Sequence, residues 1–191
     1  TTAKNAASGA AVAIDVRTGE VLAMASFPDY DPNDFAVSVS EEKWASLQQE
    51  NPYDPMSPSP MYNTATMTAV QPGSAFKPVT ALAAMSCGLD EKKYLYDDGA
   101  VTLGERTYGC FLWNEKNETH GYVSLREALK VSCNYYFFDI AAGKDFASGT
   151  SLDYDRRISN ETITDTAKML GLGRKTGIEI EESAGVLPSA E

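Results

Sequence analysis

Ser74 and Lys77 stand three residues apart in Gln71-Pro72-Gly73-Ser74-Ala75-Phe76-Lys77-Pro78, a spacing that puts both side chains on one face of a helix. A lysine held neutral by its surroundings can take the serine proton and make a nucleophile. The Pro-Gly turn delivers Ser74 to a helix start, where unsatisfied backbone N–H groups and the positive end of the dipole favour an oxyanion. Behind the pair, the apolar run Val79–Met85, closed by Gly88, reads as a buried helix. Pro78 is tolerated in its first turn. Ser-x-x-Lys arises by chance about once in a chain of this length. Ser40-Glu41-Glu42-Lys43 is such a case, a solvated helix start with two glutamates in the interval. The ordinary reading of Ser74 is a cap on a core helix.

A second constellation lies downstream. Ser124-Leu125-Arg126-Glu127 has capping-box spacing and opens a helix that runs to Val131, followed by Ser132-Cys133-Asn134. A second hydroxyl beside a Ser/Lys pair can pass a proton between the amine and a leaving group, while an asparagine amide can hold both the lysine and a peptide carbonyl. Alone, the triplet reads as a polar kink before the aromatic run Tyr135–Phe138; the order of the two motifs together favours catalysis. Cys110, His120 (the only histidine) and Cys133 form a further group. Two thiolates and an imidazole suit zinc, with a carboxylate as fourth ligand. A Cys110–Cys133 disulfide, simple buried thiols and a turn at His120-Gly121 are the alternatives. Cys87 reads as buried and inert.

The stretch Gly9–Ser26, with Asp31-Pro32-Asn33, Tyr62-Asn63 and Pro72-Gly73-Ser74-Ala75-Phe76-Lys77-Pro78, resembles the transpeptidase domain of penicillin-binding proteins, most closely class B enzymes of the penicillin-binding protein 2 group. The resemblance implies an α+β fold of the penicillin-binding protein and serine β-lactamase type, present here as its helical subdomain plus the first sheet strands. By the same resemblance Ser74 is the acylated serine, Lys77 its base, and Ser132 and Asn134 the second motif of a peptidoglycan D,D-transpeptidase. Its partners would be stem peptides ending in D-Ala-D-Ala, β-lactam antibiotics that acylate Ser74, the remaining part of the transpeptidase domain, and wall-elongation or sporulation machinery. A serine β-lactamase or D,D-carboxypeptidase, and a β-lactam-sensing or non-catalytic domain, are the rival functions. The chemistry requires no cofactor. Some members of the group hold zinc with aspartates, a histidine and a cysteine; Asp97, His120 and Cys133 resemble these, and Cys110 falls where a second aspartate is usual. Such a zinc would be structural.

The family's third motif is Lys-Thr-Gly on a strand. Lys175-Thr176-Gly177 has the letters, but only forty residues separate it from Asn134 and fourteen follow it. Gly171–Ile180 and Gly185–Pro188 instead resemble the connector upstream of the true motif. The whole of residues 1–191 is therefore read as one truncated transpeptidase domain, and as a poor enzyme alone, since one groove wall and an oxyanion donor would come from a later strand.

These motifs need elements to position them. A hairpin is expected from Ala10–Val16 and Val21–Phe27, with an exposed edge and apolar face. Thr1–Ser8 reads as a flexible start, and Pro28–Pro60 as a Pro/Asp/Ser-rich excursion with a short helix at Glu41–Gln49. A hairpin across Asp97-Asp98-Gly99, a helix at Asn134–Ala142, a loop at Lys144–Glu161 and a last helix at Thr162–Leu170 complete the reading. The 27 acidic and 16 basic side chains give a formal net charge of −11, which argues against nucleic-acid binding. No apolar run reaches membrane-spanning length. By resemblance, the parent protein sits on the extracytoplasmic face of the cell membrane, anchored by an upstream helix.

Overall fold

A computed structural model describes residues 6–54 and 57–188. The chain forms two compact units, one from residues 1–70 with 175–184 and one from residues 71–174 with 185–191. Thr1–Asn5 of the expected flexible start lie outside the described residues.

In the first unit, β1 (Gly9–Ile14) and β2 (Val21–Phe27) form the antiparallel hairpin. β1 stops two residues earlier than the sequence suggests. Asp15 already belongs to the turn: its N–H donates to Glu20 O, its carbonyl accepts from Gly19 N, and its carboxylate accepts from Arg17 N. Val12, Ile14, Val21, Leu22 and Phe27 are exposed, as expected for a lone pair of strands. Ser40 caps α1 (Glu41–Ser46) by accepting from Lys43 N, so the rejected Ser-x-x-Lys is a helix cap. The helix ends three residues short of Gln49. Asn63 caps a short α2 (Thr64–Met67) and also accepts from the Ser26 hydroxyl at 2.8 Å, tying α2 to β2. Lys175-Thr176-Gly177 belongs to this unit and lies on no strand. The Glu182 carboxylate accepts from Thr176 N, Thr176 Oγ1 and Gly177 N, closing the segment as a loop around its own carboxylate.

The second unit holds the core. Helix α3 (Lys77–Ser86) packs on α5 (Leu125–Lys130), α6 (Asn134–Ala142) and α7 (Asn160–Met169). Ala81, Ala83 and Ala84 share one buried cluster with the larger Leu125, Tyr136 and Ile140. Alanines on α3 let the neighbouring helices approach closely, while the aromatic residues of α6 supply the buried apolar area. Helix α5 carries the capping box: Ser124 Oγ accepts from Glu127 N, and Glu127 Oε2 accepts from Ser124 N. Helix α7 begins at Asn160 rather than Thr162, because Ser159 supplies the N-cap.

One expected element is corrected. No hairpin forms across Asp97-Asp98-Gly99. Instead β3 (Leu95–Asp97) pairs with β6 (Gly121–Val123), and β4 (Ala100–Leu103) pairs with β5 (Arg106–Gly109). Asp97 Oδ1 accepts from Gly99 N, which turns the chain out of β3's ladder. Gly99 has φ +94° and the Trp113 ring packs where a side chain would stand, so only glycine fits there. Trp113 belongs to α4 (Phe111–Lys116), a helix that the sequence reading leaves out.

Candidate active site

Ser74 is exposed, in a 3-10 turn over Gly73–Phe76 that leads directly into α3. Gly73 at φ +55° makes that entry turn possible. Lys77, the first residue of α3, is buried at 9% exposure. The third component comes from the break between α5 and α6. Ser132 sits there at φ +54°, in the left-handed region that a non-glycine residue adopts at a cost. This kink holds Ser132 and Asn134 toward Lys77.

The four side chains form one hydrogen-bonded system. Lys77 Nζ donates to Ser132 Oγ at 2.9 Å, to the Ser132 carbonyl at 2.6 Å and to Asn134 Oδ1 at 2.7 Å. Ser132 Oγ donates to Ser74 Oγ at 2.9 Å. The serine and lysine of the first motif are therefore joined through the serine of the second, a link that helical spacing alone does not reveal. The Phe137 ring lies 5.4 Å from Lys77 Nζ. Phe137 was missed as a site residue; its signal is the i, i+3 spacing from Asn134, which puts both on one face of α6. Burial pulls the Lys77 amine below the ordinary lysine range, and negative charge on the nearby Cys110 and Cys133 thiols opposes that shift. The net direction favours the free base.

Asp97, Cys110, His120 and Cys133 converge beside this system, their ligand atoms all within 4.8 Å of one another. Asp97 ends β3, Cys110 precedes α4, His120 precedes β6, and Cys133 caps α6. Four element ends thus meet at one point. Asp97 Oδ2 accepts from His120 N at 3.1 Å and from Cys133 Sγ at 3.4 Å, and lies 2.7 Å from His120 Nδ1; Cys110 Sγ is 3.5 Å from the same ring nitrogen. Burial would raise the Asp97 carboxyl, but the hydrogen bonds from His120, Gly99 and Cys133 hold it below its ordinary value. The neighbouring Cys133 thiol pulls the Cys110 thiol down to about 5, while that same proximity and burial push Cys133 up. Two sulfurs, one nitrogen and one carboxylate oxygen gathered within 4.8 Å are a donor set that suits zinc. A tetrahedral ion has ligand–ligand edges of about 3.3–3.8 Å, so binding would open the 2.7 Å Asp97–His120 pair. All three cysteines are free and buried, and Cys87 is outside the group of four.

Residues 9–191 match the family model of the penicillin binding protein transpeptidase domain. The chain is 32% identical over 191 residues to the peptidoglycan D,D-transpeptidase MrdA of Escherichia coli, covering 97% of this chain and 26% of that protein. It superposes on a penicillin-binding protein PBP2 from Helicobacter pylori with a TM-score of 0.76 and 26% identity, over 94% of this chain and 30% of that one. A penicillin G acyl-enzyme complex of penicillin-binding protein A from M. tuberculosis aligns with a TM-score of 0.68 and 29% identity, over 95% of this chain and 39% of that one. With its α+β core, its motif order and a family match over nearly all its length, the chain belongs to the penicillin-binding protein transpeptidase family.

Proposed function

We propose that the chain carries the nucleophile of a peptidoglycan D,D-transpeptidase. The observation that supports it is the continuous path from Lys77 Nζ through Ser132 Oγ to Ser74 Oγ, with Asn134 Oδ1 fixing the amine. In this reading Ser74 Oγ attacks the penultimate D-Ala carbonyl of a stem peptide. For this the amine first gives up one proton and its bond to Ser132 Oγ, and both hydroxyls turn, so that Ser74 donates to Ser132 Oγ and Ser132 to the free Nζ lone pair. The Ser74 proton then passes to Ser132 Oγ while Ser132 gives its own to the neutral Lys77 amine. Return of that proton to the departing D-Ala nitrogen completes acylation. An amine from a neighbouring stem peptide then attacks the Ser74 ester by the reverse proton path and forms the cross-link. A β-lactam presents a strained amide to the same oxygen and stops at the acyl-enzyme.

Asp97, Cys110, His120 and Cys133 would hold a structural zinc. When bound, that ion supplies a rigid anchor for Cys133, and the protein's own contribution is to keep Ser132 and Asn134 on either side of it in place. Chemistry at Ser74 needs no cofactor. The reading places the domain outside the cytoplasmic membrane, where wall precursors are, in a protein anchored by a helix elsewhere in its chain. Among the described residues no helix is long and apolar enough to cross a membrane.

Intact-mass measurement of the full protein incubated with penicillin tests the assignment. A covalent adduct that Ser74→Ala abolishes is expected. An adduct that persists in that variant refutes it, and rapid drug hydrolysis in place of a stable adduct assigns the chain to the hydrolytic rivals.

A further inference from the structure

The four-residue cluster contains two thiols where one cysteine would already supply a soft ligand. Cys110 and Cys133 are both fully buried, their sulfurs lie within 4.8 Å, and no other cysteine joins the group. They come from segments with independent backbone anchors. Cys110 N donates to Gly99 O at 2.8 Å, and Cys133 N donates to Ala128 O at 2.9 Å. A disulfide needs the pair at about 2.05 Å, so closing it against these anchors strains the backbone beside each cysteine as well as rotating the side chains.

We propose that Cys110 and Cys133 are a reversible oxidation site whose closed form excludes metal and disarms Ser132. The inference rests on the metal reading of the cluster only for the exchange; the dithiol itself does not require it. With a peroxide as two-electron oxidant, one sulfur attacks a peroxide oxygen, the O–O bond breaks, and a sulfenic acid and water form. The second sulfur attacks the sulfenic sulfur, the S–O bond breaks, and a second water leaves. Starting from two metal-bound thiolates, two protons are taken from solvent and zinc departs as the dication, so electrons and atoms balance.

Closure reaches the active site through one peptide. Cys133 Sγ accepts from Tyr136 N at 3.4 Å as the N-cap of α6, and donates to Asp97. Drawing that sulfur toward Cys110 costs both contacts. Ser132, adjacent and already at φ +54°, then shifts away from Lys77 and Ser74. A displacement on the order of 1 Å slows such a step by roughly 100-fold.

The experiment treats full-length, zinc-loaded protein with hydrogen peroxide and follows three readouts: peptide mapping, released zinc and the rate of penicillin acylation. The expected result is a species that has lost two hydrogens, with the Cys110 and Cys133 peptides joined, one zinc released per link formed, and slowed acylation that a dithiol plus zinc restores. Cys87→Ala should give the same link, and Cys110→Asp should give none. A link that forms in protein that never binds zinc removes the metal reading and supports the dithiol site. Zinc that binds while the two thiols stay unlinked, or proceed separately to sulfinic acids, overturns the inference and leaves the metal reading standing.

Discussion

The Ser132 hydroxyl donates to the Ser74 oxygen at 2.9 Å, and its own oxygen accepts from Lys77 Nζ at the same distance. Lys77 also donates to the Ser132 carbonyl and to Asn134, so the amine is held on the Ser132 side of the site. In the proposed reaction, proton transfer from Ser74 to Lys77 then depends on the intervening hydroxyl. Ser132→Ala is expected to slow penicillin acylation by about 100- to 10,000-fold, the range of a lost general acid–base path. Stopped-flow measurement with a reporter β-lactam checks this, and a rate within a factor of about three of wild type would mean that Lys77 reaches Ser74 directly.

Burial lowers the proton affinity of Lys77 below that of an exposed lysine. The sign follows from that direction: the neutral base appears as pH rises through the lowered value, so acylation climbs with pH and levels off before an ordinary lysine would. Phe137, buried beside Nζ, helps keep water away. Phe137→Ala should admit water and move the rising limb to higher pH. Lys77→Arg, which cannot lose its proton in this range, should remove the limb and leave acylation slow throughout. A pH–rate profile for the three proteins provides the comparison; an unmoved limb in Phe137→Ala would assign that ring to packing alone.

Much of this site is legible in the chain because its parts announce themselves locally. Pro72-Gly73 before Ser74, the capping box at Ser124–Glu127 and the run from Asn134 to Ala142 each predict structure from neighbouring residues, and each is found. Elements fixed by distant partners are less legible. Leu95–Asp97 pairs with Gly121–Val123, not with the adjacent strand, since the Asp97–Gly99 turn redirects the chain and nothing nearby reports the partner. Helix α4 escapes notice because Cys110 gives it no side-chain cap bond and it has only six residues. Phe137 reads as core, and it is core; its second task depends on Lys77 arriving from another helix.

The metal reading makes its own demand on stability. An ion that binds only the folded protein stabilises it by mass action, and at a thousandfold excess over its dissociation constant the gain is about 4 kcal/mol. Chelation should lower the midpoint of thermal unfolding by roughly 10 °C, and His120→Ala should abolish the difference between loaded and stripped protein. Calorimetry with and without added zinc, alongside metal analysis, checks both. Identical midpoints for the wild type in the two conditions would remove zinc from the structure.

Asp139 offers a test of the helix that carries Asn134. It lies on α6 with no exposure, its Oδ1 accepts from Phe146 N at 3.0 Å, and its Oδ2 has no partner among the described residues. Burial pushes this carboxyl up to about 7, against the ordinary 3.8, and the nearby Asp145 and Asp97 charges push in the same direction. The folded chain therefore binds this proton more tightly than the unfolded chain. Its contribution is fully present below about pH 4 and is lost as pH rises through about 7. Asparagine keeps the acceptor for Phe146 and cannot ionise. Asp139→Asn should be more stable than wild type by roughly 2–4 kcal/mol near pH 8 and little changed near pH 4. Urea unfolding at the two pH values reads the difference directly; an equal change at both would show that the carboxylate is reached by water, and that the segment from Gly143 to Phe146 opens more readily than its packing on α6 implies.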